Sequence, residues 1–187
     1  MLRIVAGQYR GIRLDEVKNI RTRPTTDKNK ESLFNMLGQF FEGGKALDLF
    51  AGSGSLGFEA YSRGMEQVTF VDDFQLAIDT IEKNKSKLHD AFIEDFVILK
   101  RDVFTFLERR SSVEYDLILV DPPYHDTSYE RLLTLIEKNG FLAKHGVVVF
   151  ESDKTKMIDV RMSSLVKIKE KTSGNTKFHI FTKGDLS

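Results

Sequence analysis

Residues 45–57 read KALDLFAGSGSLG and decide the fold. A short apolar run over residues 45–50 is followed by glycines at Gly52, Gly54 and Gly57, and then by sequence with helical spacing. This order is typical of a strand that turns tightly into a helix whose first backbone amides point at a ligand. The stretch therefore predicts the first parallel strand of a sheet, with a ligand-binding turn at its carboxyl end.

Outward from this stretch, β-rich runs alternate with helix-period runs, which indicates β-α-β units around a mostly parallel sheet. Further strands are predicted at residues 67–71, 96–100, 115–120 and 146–150. A first helix begins after Thr25 or Thr26 and runs to Gly43, and later helices are predicted at residues 55–63, 74–88, 102–110 and 128–138. The predicted fold class is α/β, with one doubly wound, mostly parallel sheet.

Both ends of the chain depart from this alternation. Residues 165–169 and 176–181 predict a C-terminal antiparallel hairpin that turns at residues 173–175. Residues 3–5 and 11–14 predict a small N-terminal β-hairpin extension. We therefore predict a basic arm over residues 1–24 and a main domain over residues 25–187.

The net charge of zero hides a strong asymmetry along the chain. Residues 1–30 carry eight basic and three acidic groups, and residues 160–187 carry six basic and two acidic groups. The intervening residues 31–159 carry 14 basic and 23 acidic groups. Such basic ends indicate an acidic partner such as nucleic acid, although basic tails can also be simply solvated.

Composition excludes several classes of protein. The 187 residues fit one domain, and the absence of cysteine excludes disulfides, thiolate nucleophiles and zinc-thiolate sites. Four scattered histidines argue against a transition-metal site, so no metal is predicted. The start of the chain lacks a long apolar run, and no later run approaches the roughly 18 residues of a membrane span, so we expect a cytoplasmic location.

The glycine spacing matches a dinucleotide fingerprint, and Asp72 follows Gly52 by 20 residues, where a carboxylate can accept hydrogen bonds from ribose hydroxyls. This arrangement suits any adenosine-containing cofactor, although a plain glycine turn with an exposed aspartate is the alternative. Asp48 lies inside the preceding strand, where it would repel a pyrophosphate. It suits the sulfonium and ammonium of S-adenosylmethionine instead, unless it only caps the amides of the glycine loop.

Two further segments are predicted at the same edge of the sheet. Asp102, followed by Val103, can accept a hydrogen bond from an adenine amino group, and it can equally be the N-cap of the next helix. Residues 117–124 read LILVDPPY and place a carboxylate, a rigid backbone and an aromatic ring after a buried strand.

The DPPY run is suited to chemistry on a planar amine. If Asp121 and the Pro122 carbonyl each accept one amine hydrogen, the nitrogen lone pair is directed toward a methyl donor without a strong base. Tyr124 can stack on the base, by analogy with other base–aromatic contacts. The alternative is an ordinary Asp-Pro turn covered by an aromatic ring.

Together these motifs resemble those of the class I S-adenosylmethionine-dependent amino-methyltransferases, which have a Rossmann-like fold. RIVAGQYRG at residues 3–11, RPTTD at 23–27 with ESLFN at 31–35, FAGSG at 50–54 and VDPPY at 120–124 look like the bacterial small-subunit ribosomal RNA guanine-N2 methyltransferases of the RsmD type. The resemblance implies methyl transfer from S-adenosylmethionine to the 2-amino group of a guanine, in ribosomal RNA that is free or inside an assembling particle.

The resemblance also implies a role for individual residues. The cofactor-binding residues would be Asp48, Phe50, Gly52, Ser53, Gly54, Asp72, Asp102 and Val103. The catalytic residues would be Asp121, Pro122, Pro123 and Tyr124. The RNA-binding residues would be Arg3, Tyr9, Arg10, Arg13, Arg23 and Thr25. One departure from the family pattern is a second acid, Asp73, directly after the ribose acid.

Three alternatives stay open from the sequence. The same amine chemistry serves DNA bases and protein glutamine. The glycine spacing would also suit an NAD-binding oxidoreductase, against which Asp48 and the lack of an evident hydride-transfer acid or base argue. A non-catalytic RNA-binding module would leave the cofactor and DPPY motifs unexplained.

Overall fold

The computed structural model describes residues 2–18, 26–123, 128–158 and 164–184. Its strands are β1 (Leu2–Arg3), β2 (Arg13–Leu14), β3 (Lys45–Leu49), β4 (Gln67–Asp72), β5 (Phe96–Lys100), β6 (Tyr115–Val120), β7 (Leu142–Asp153), β8 (Leu165–Ser173) and β9 (Thr176–Lys183). Its helices are α1 (Asp27–Leu37), α2 (Ser55–Ser62), α3 (Gln75–Lys85), α4 (Val103–Leu107) and α5 (Tyr129–Lys138), with a 3-10 turn at Ile93–Asp95. Among these described helices, none is long and apolar enough to span a bilayer.

Seven strands form one sheet in the order β5-β4-β3-β6-β7-β9-β8. The first five of these are parallel, and β9 runs antiparallel to both β7 and β8. The doubly wound, mostly parallel sheet and the C-terminal hairpin are therefore confirmed. The chain order reverses between β3 and β6, and such a switch point opens a crevice at the carboxyl ends of the strands.

Apolar side chains cover both faces of the sheet. On one face α1, α2 and α3 pack over a cluster of aromatic rings, in which the Phe58 and Phe70 centroids are 4.8 Å apart. On the other face α4 and α5 pack over β6 and β7, where Tyr129 and Phe150 are 5.7 Å apart. Because both faces are buried, the central strands are mostly apolar rather than alternating, and Asp48 of β3 is a buried exception.

The predicted N-terminal hairpin is confirmed, but it is short. Leu2 and Arg3 pair with Leu14 and Arg13 in an antiparallel ladder of two residues per strand. The segment between them docks on α2, where the buried Glu59 accepts hydrogen bonds from the backbone amides of residues 5 and 6 at 2.8 and 3.1 Å.

The first helix ends earlier than the sequence predicts. Thr26 caps its start as expected, but Gly38 adopts a φ of 104° and its amide bonds the Phe34 carbonyl, which closes the helix after Leu37. The predicted extension to Gly43 is therefore wrong, and Phe40 is 59% exposed in the following loop. The cause is local, because a glycine in the left-handed conformation ends a helix whatever the apolar spacing beyond it.

Other helix and strand boundaries differ by a few residues from those predicted from the sequence. The helix expected at residues 74–88 ends at Lys85, and the one expected at 102–110 ends at Leu107. Strand β7 begins at Leu142 rather than at residue 146, and β8 extends to Ser173. In the terminal hairpin, β8 continues to the turn because residues 170–173 each pair with a residue of β9.

Candidate active site

The motifs singled out from the sequence meet at the carboxyl edge of the sheet. Leu49 at the end of β3 pairs with Val71 of β4 on one side and with Val120 of β6 on the other. The glycine loop is consequently flanked by Asp72 and Asp121, and the Asp121 amide bonds the Leu49 carbonyl at 3.4 Å. Residues separated by up to 73 positions thus surround one crevice, as the open-sheet rule requires.

The loop after β3 holds a strained backbone. Phe50 has a φ of 60°, which is uncommon for a residue with a side chain, and Gly52 and Gly54 are also left-handed. A side chain at Gly54 would in addition come within 2.8 Å of the Phe58 ring. Ser53, half-buried, lies between the two glycines. The turn therefore depends on glycine at positions 52 and 54, where the backbone is left-handed.

Asp48 lies beneath this loop and is 2% exposed. One of its carboxylate oxygens accepts a hydrogen bond of 2.9 Å from the Gly57 amide in the first turn of α2. The amide-capping contact considered for this residue is therefore present. Burial raises the pKa of Asp48 well above its usual range, and the neighbouring carboxylates of Asp121 and Asp72 raise it further.

Asp72 ends β4 and faces the same loop. Its carboxylate accepts hydrogen bonds of 2.9 Å from the amides of Gly52 and Phe74, and burial raises its pKa. The next residue, Asp73, is exposed. The strand end and the glycine loop thus hold the half-buried Asp72 in place, while Asp73 is exposed to solvent.

Asp102 and Val103 follow β5 at the same edge. The Asp102 side chain accepts a hydrogen bond of 2.8 Å from the Thr105 amide and caps α4, as the alternative interpretation predicted. Val103 is buried beneath it. The adjacent Arg101 amide bonds the Asp72 carbonyl at 2.9 Å, so this turn lies beside the ribose candidate.

Beyond β6, the chain turns at Asp121, which is half-buried, and Pro122, which is buried, and leaves Pro123 exposed. Tyr124 lies outside the described residues. The structure adds Tyr129, the first residue of α5, which the sequence analysis missed. Its ring is 2% exposed, and its pKa is raised to about 12 by burial and by the nearby carboxylates of Asp121 and Glu151. The signal available in the sequence was a tyrosine directly after the serine that begins the predicted helix.

The predicted RNA-binding residues fall into two groups. Arg3, Arg10 and Arg13 are exposed, and Arg3 also pairs with Asp27 at 2.7 Å. Tyr9 is only 6% exposed and stacks on Tyr61 with ring centroids 5.7 Å apart, so its ring packs in the core instead of presenting a face to RNA. Arg23 and Thr25 lie outside the described residues.

Asn84 of α3 joins the N-terminal segment to the glycine loop. Its side-chain oxygen accepts from the Asp15 amide at 2.7 Å, and its side-chain nitrogen donates at 3.0 Å to the carbonyls of Asp15 and Ser53. The residue is fully buried. Sequence reasoning missed it because a polar residue on a helix carries no sign of which distant backbone it will bind.

A second buried contact ties α1 to the start of α2. The Lys30 ammonium, fully buried, donates to the Arg3 carbonyl and to the Ser55 hydroxyl and lies 3.9 Å from Glu59. Burial lowers the pKa of Lys30, while the Glu59 carboxylate opposes that shift. Within the described ranges no group of three or more acidic or histidine side chains is placed to hold a metal ion.

The chain is similar to several known proteins over nearly its full length. The candidate rRNA methyltransferase YlbH of Bacillus subtilis is 39% identical over 184 residues, which cover 97% of this chain and 99% of that protein. Ribosomal RNA small subunit methyltransferase D of Haemophilus influenzae is 32% identical over 180 residues, which cover 96% and 93%. The solved structure of a candidate methyltransferase from Escherichia coli, yhhF, has a TM-score of 0.81 at 29% identity and covers 97% of each chain.

A protein-family model described as Conserved hypothetical protein 95 matches residues 2–182. The match includes the N-terminal hairpin, the glycine loop, the Asp-Pro-Pro turn and the terminal hairpin. The resemblance to the RsmD-type methyltransferases is thereby confirmed, and the chain belongs to the Conserved hypothetical protein 95 family.

Proposed function

We propose that this protein transfers the methyl group of S-adenosylmethionine to the 2-amino group of a guanine in small-subunit ribosomal RNA. The observation that carries the proposal is the meeting, at one sheet edge, of the acidic glycine loop and the Asp-Pro-Pro turn. The relatives named ribosomal RNA small subunit methyltransferase D support the substrate class. The guanine 2-amino group is our extension from the Asp121 turn and the family resemblance.

The carboxylates of the crevice fit a cationic cofactor. Asp48, Asp72 and Asp121 lie close enough for the latter two to raise the pKa of Asp48, so a positive group between them would be stabilised. When bound, S-adenosylmethionine supplies an electrophilic methyl group next to its sulfonium. In this assignment Asp72 accepts hydrogen bonds from the ribose hydroxyls, and Asp102 accepts one from the adenine amino group.

The same charges argue against NAD. A pyrophosphate at the glycine loop would add negative charge beside the Asp72 and Asp121 carboxylates, which already disfavour the charged form of the buried Asp48. Like charges at short range in a buried site are strongly unfavourable. An NAD-binding oxidoreductase is therefore the weaker interpretation of the glycine spacing.

The Asp-Pro-Pro turn orients the amine that accepts the methyl group. Asp121 and the Pro122 carbonyl accept its two hydrogens, which directs the nitrogen lone pair outward and stabilises the positive charge that develops in the transition state. Pro123 keeps this backbone rigid, and Tyr124 stacks on the base. The Asp121 carboxylate acts as a hydrogen-bond acceptor and needs no raised basicity for this role.

The RNA must present the target base unpaired, because a base inside a helix cannot reach the sheet edge. Phosphate contacts offset the cost of exposing it. We assign such contacts to the exposed Arg3, Arg10 and Arg13 and, from the family resemblance, to Arg23 and Thr25. The substrate would be small-subunit ribosomal RNA, free or in an assembling particle in the cytoplasm.

The first prediction concerns Asp121. We expect Asp121→Ala to lower kcat by about 10²–10³-fold, because a preorganised hydrogen-bond acceptor is lost in the transition state, while the affinity for S-adenosylmethionine changes little. The measurement is methyl transfer to small-subunit ribosomal RNA from cells that lack this protein, with the modified nucleotide identified by mass spectrometry.

Asp79→Ala is the matched control, since it removes an exposed carboxylate on α3 that accepts a hydrogen bond from the Gln75 side chain. Full activity in Asp121→Ala would overturn the catalytic role. Parallel assays with DNA and with a glutamine-containing protein separate the alternatives, and a methyl group found on either of those instead of guanine would overturn the substrate assignment.

A further inference from the structure

A shallow cavity of about 340 Å³ lies on the face of the sheet that α4 covers, outside the candidate active site. Its rim holds four basic side chains, Lys45, Arg101, Arg109 and Arg110. Val97 and Phe106 contribute to its apolar part. We call these six residues the α4 pocket.

The floor of the α4 pocket is open to solvent because it lies at the end of the sheet. Val97 belongs to β5, the last strand on this side, and it is 47% exposed, unlike the buried valines of the inner strands. Its ladder partner Thr69 accepts a hydrogen bond of 3.1 Å from the Tyr115 hydroxyl, and both of these residues line the cavity. The five-residue helix α4 is too short to cover the whole strand.

The α4 pocket carries an excess of positive charge, although the Asp116 carboxylate accepts a hydrogen bond from the Lys45 amide beside it. All four basic side chains are exposed, and in the described part of the chain none of them forms an ion pair. No aspartate or glutamate is among the pocket residues, and Glu108, next to Arg109 in sequence, pairs with Arg131 instead. Clustered like charges without counter-charges raise the energy of the free protein, and an anionic partner relieves it.

The position of the pocket connects it with the proposed active site. The Arg101 amide bonds the Asp72 carbonyl at the carboxyl edge, whereas Lys45 begins β3 at the opposite edge. Because a strand rises about 3.3 Å per residue, the pocket follows the five residues of β5 over roughly 17 Å. A chain of phosphates that leaves the crevice can therefore run down this face.

We propose that the α4 pocket binds a single-stranded stretch of the RNA substrate a few nucleotides away from the target nucleotide. Arg101, Arg109, Arg110 and Lys45 contact phosphates, and a base rests on the apolar floor at Val97 and Phe106. Arginine is suited to this because its planar guanidinium matches phosphate geometry. This inference rests on the proposed function for its substrate, but it assigns RNA contacts to a surface far from the N-terminal arginines.

The test compares Arg109→Gln/Arg110→Gln with the wild-type protein in binding unmethylated small-subunit ribosomal RNA over a range of salt concentrations. We expect the double variant to bind RNA at least tenfold more weakly. The log–log salt slope should fall by about 1.4, because each lost phosphate contact to a single strand removes about 0.7. The affinity for S-adenosylmethionine and kcat at saturating RNA should stay within about twofold of the wild-type values.

Lys144→Gln/Lys171→Gln is the matched control, since both side chains are exposed outside the pocket and their loss changes the net charge equally. If the double arginine variant has the RNA affinity and salt slope of this control, the inference is wrong. It is also wrong if the double arginine variant loses affinity for duplex DNA but not for the RNA. Should the double arginine variant fail to fold, Lys45→Gln carries the same test with a slope change of about 0.7.

The proposed function and this inference fail separately. If wild-type protein binds ribosomal RNA with the pocket-dependent salt slope but methylates no guanine, the proposed function is wrong and the RNA surface stands. If methylation of guanine is normal and the pocket variant binds like the control, the inference alone is wrong.

Discussion

At the scale of single residues, Asp48 both caps a helix and carries a carboxyl group buried beside two other acids. Its carboxylate caps α2 through the Gly57 amide, which satisfies a backbone donor at a helix start. It is also buried beside Asp121 and Asp72, which makes its negative charge costly in the absence of a cation. Such a group favours protonation in the free protein and ionisation when a cationic cofactor is bound.

We therefore expect Asp48→Asn to bind S-adenosylmethionine about 10–150-fold more weakly, which corresponds to about 1.5–3 kcal/mol for a hydrogen bond to a charged group. The asparagine oxygen can still accept from the Gly57 amide, so the fold should survive. Calorimetric titration measures the affinity, and Asp79→Ala serves again as control. Equal affinities for the variant and the wild type would contradict a direct role for Asp48.

The raised pKa also predicts how stability depends on pH. A carboxyl whose pKa is higher in the folded than in the unfolded chain gains a proton on folding, so its contribution is greatest at acid pH. That contribution is lost as the pH rises from about 3.9 through the raised pKa. As pH rises, the free energy of unfolding of the wild type should thus fall relative to that of Asp48→Asn. Urea titrations at several pH values measure this difference.

At the scale of elements, α3 does more than cover the sheet. Through Asn84 it holds the backbone of the N-terminal segment at Asp15 and the backbone of the glycine loop at Ser53. These two segments approach the crevice from different directions, and Asn84 is the side chain that bonds both. The helix therefore links the arm proposed to bind RNA with the loop proposed to bind the cofactor.

We expect Asn84→Ala to lower the free energy of unfolding by about 1–3 kcal/mol, because buried backbone groups lose their partners. The KM for S-adenosylmethionine should rise more than kcat falls, since the loop is displaced while Asp121 is not. Glu82→Ala, an exposed change on the same helix, should stay within about 0.5 kcal/mol of wild type. An unchanged KM with lowered stability would leave Asn84 a packing role only.

The lysines of the terminal hairpin have contacts within the protein that a count of charges does not reveal. Strand β8 is the last of the sheet, and lysines on such an edge discourage pairing with another chain. Lys167 and Lys177 contact Glu170, and Lys169 donates to the Met36 carbonyl at 2.7 Å. The basic carboxyl end therefore has contacts of its own, and we assign RNA binding to other surfaces.

At the scale of the whole molecule, the first residues belong to the same apolar core as the sheet. Leu2, Ile4, Val5, Tyr9 and Leu14 are at most 9% exposed. Each buried apolar side chain contributes about 1.5–3 kcal/mol, so their sum rivals the 5–15 kcal/mol that stabilises a typical domain. The apolar side chains of this segment are therefore part of the folded domain. Any contact of the segment with RNA has to come from its exposed side chains, such as Arg3, Arg10 and Arg13.

We expect deletion of residues 1–14 to abolish cooperative thermal unfolding, because the apolar side chains and the partners of Glu59 are removed together. The triple variant Arg3→Gln/Arg10→Gln/Arg13→Gln is the comparison. It should unfold cooperatively near the wild-type temperature and bind RNA more weakly, as followed by circular dichroism and RNA titration. A deletion variant that unfolds like the wild type would show that the hairpin is an independent appendage.

The sequence by itself determined the order of strands and helices, the glycine turn and the Asp-Pro-Pro turn, because these depend on local backbone preferences and on apolar runs within a few residues. It also led correctly to the RsmD-type family. Helix ends such as that at Gly38 were less predictable, since one backbone conformation overrode the apolar spacing.

Only the tertiary structure decided which distant groups meet. It joined the Asp48 carboxylate to the Gly57 amide, buried Tyr9 against Tyr61, and left four basic side chains around an apolar floor beside α4. The physical reason is that burial and charge pairing depend on contacts between residues far apart in the chain. Local sequence specifies each element, but only the packed sheet determines which side chains become neighbours.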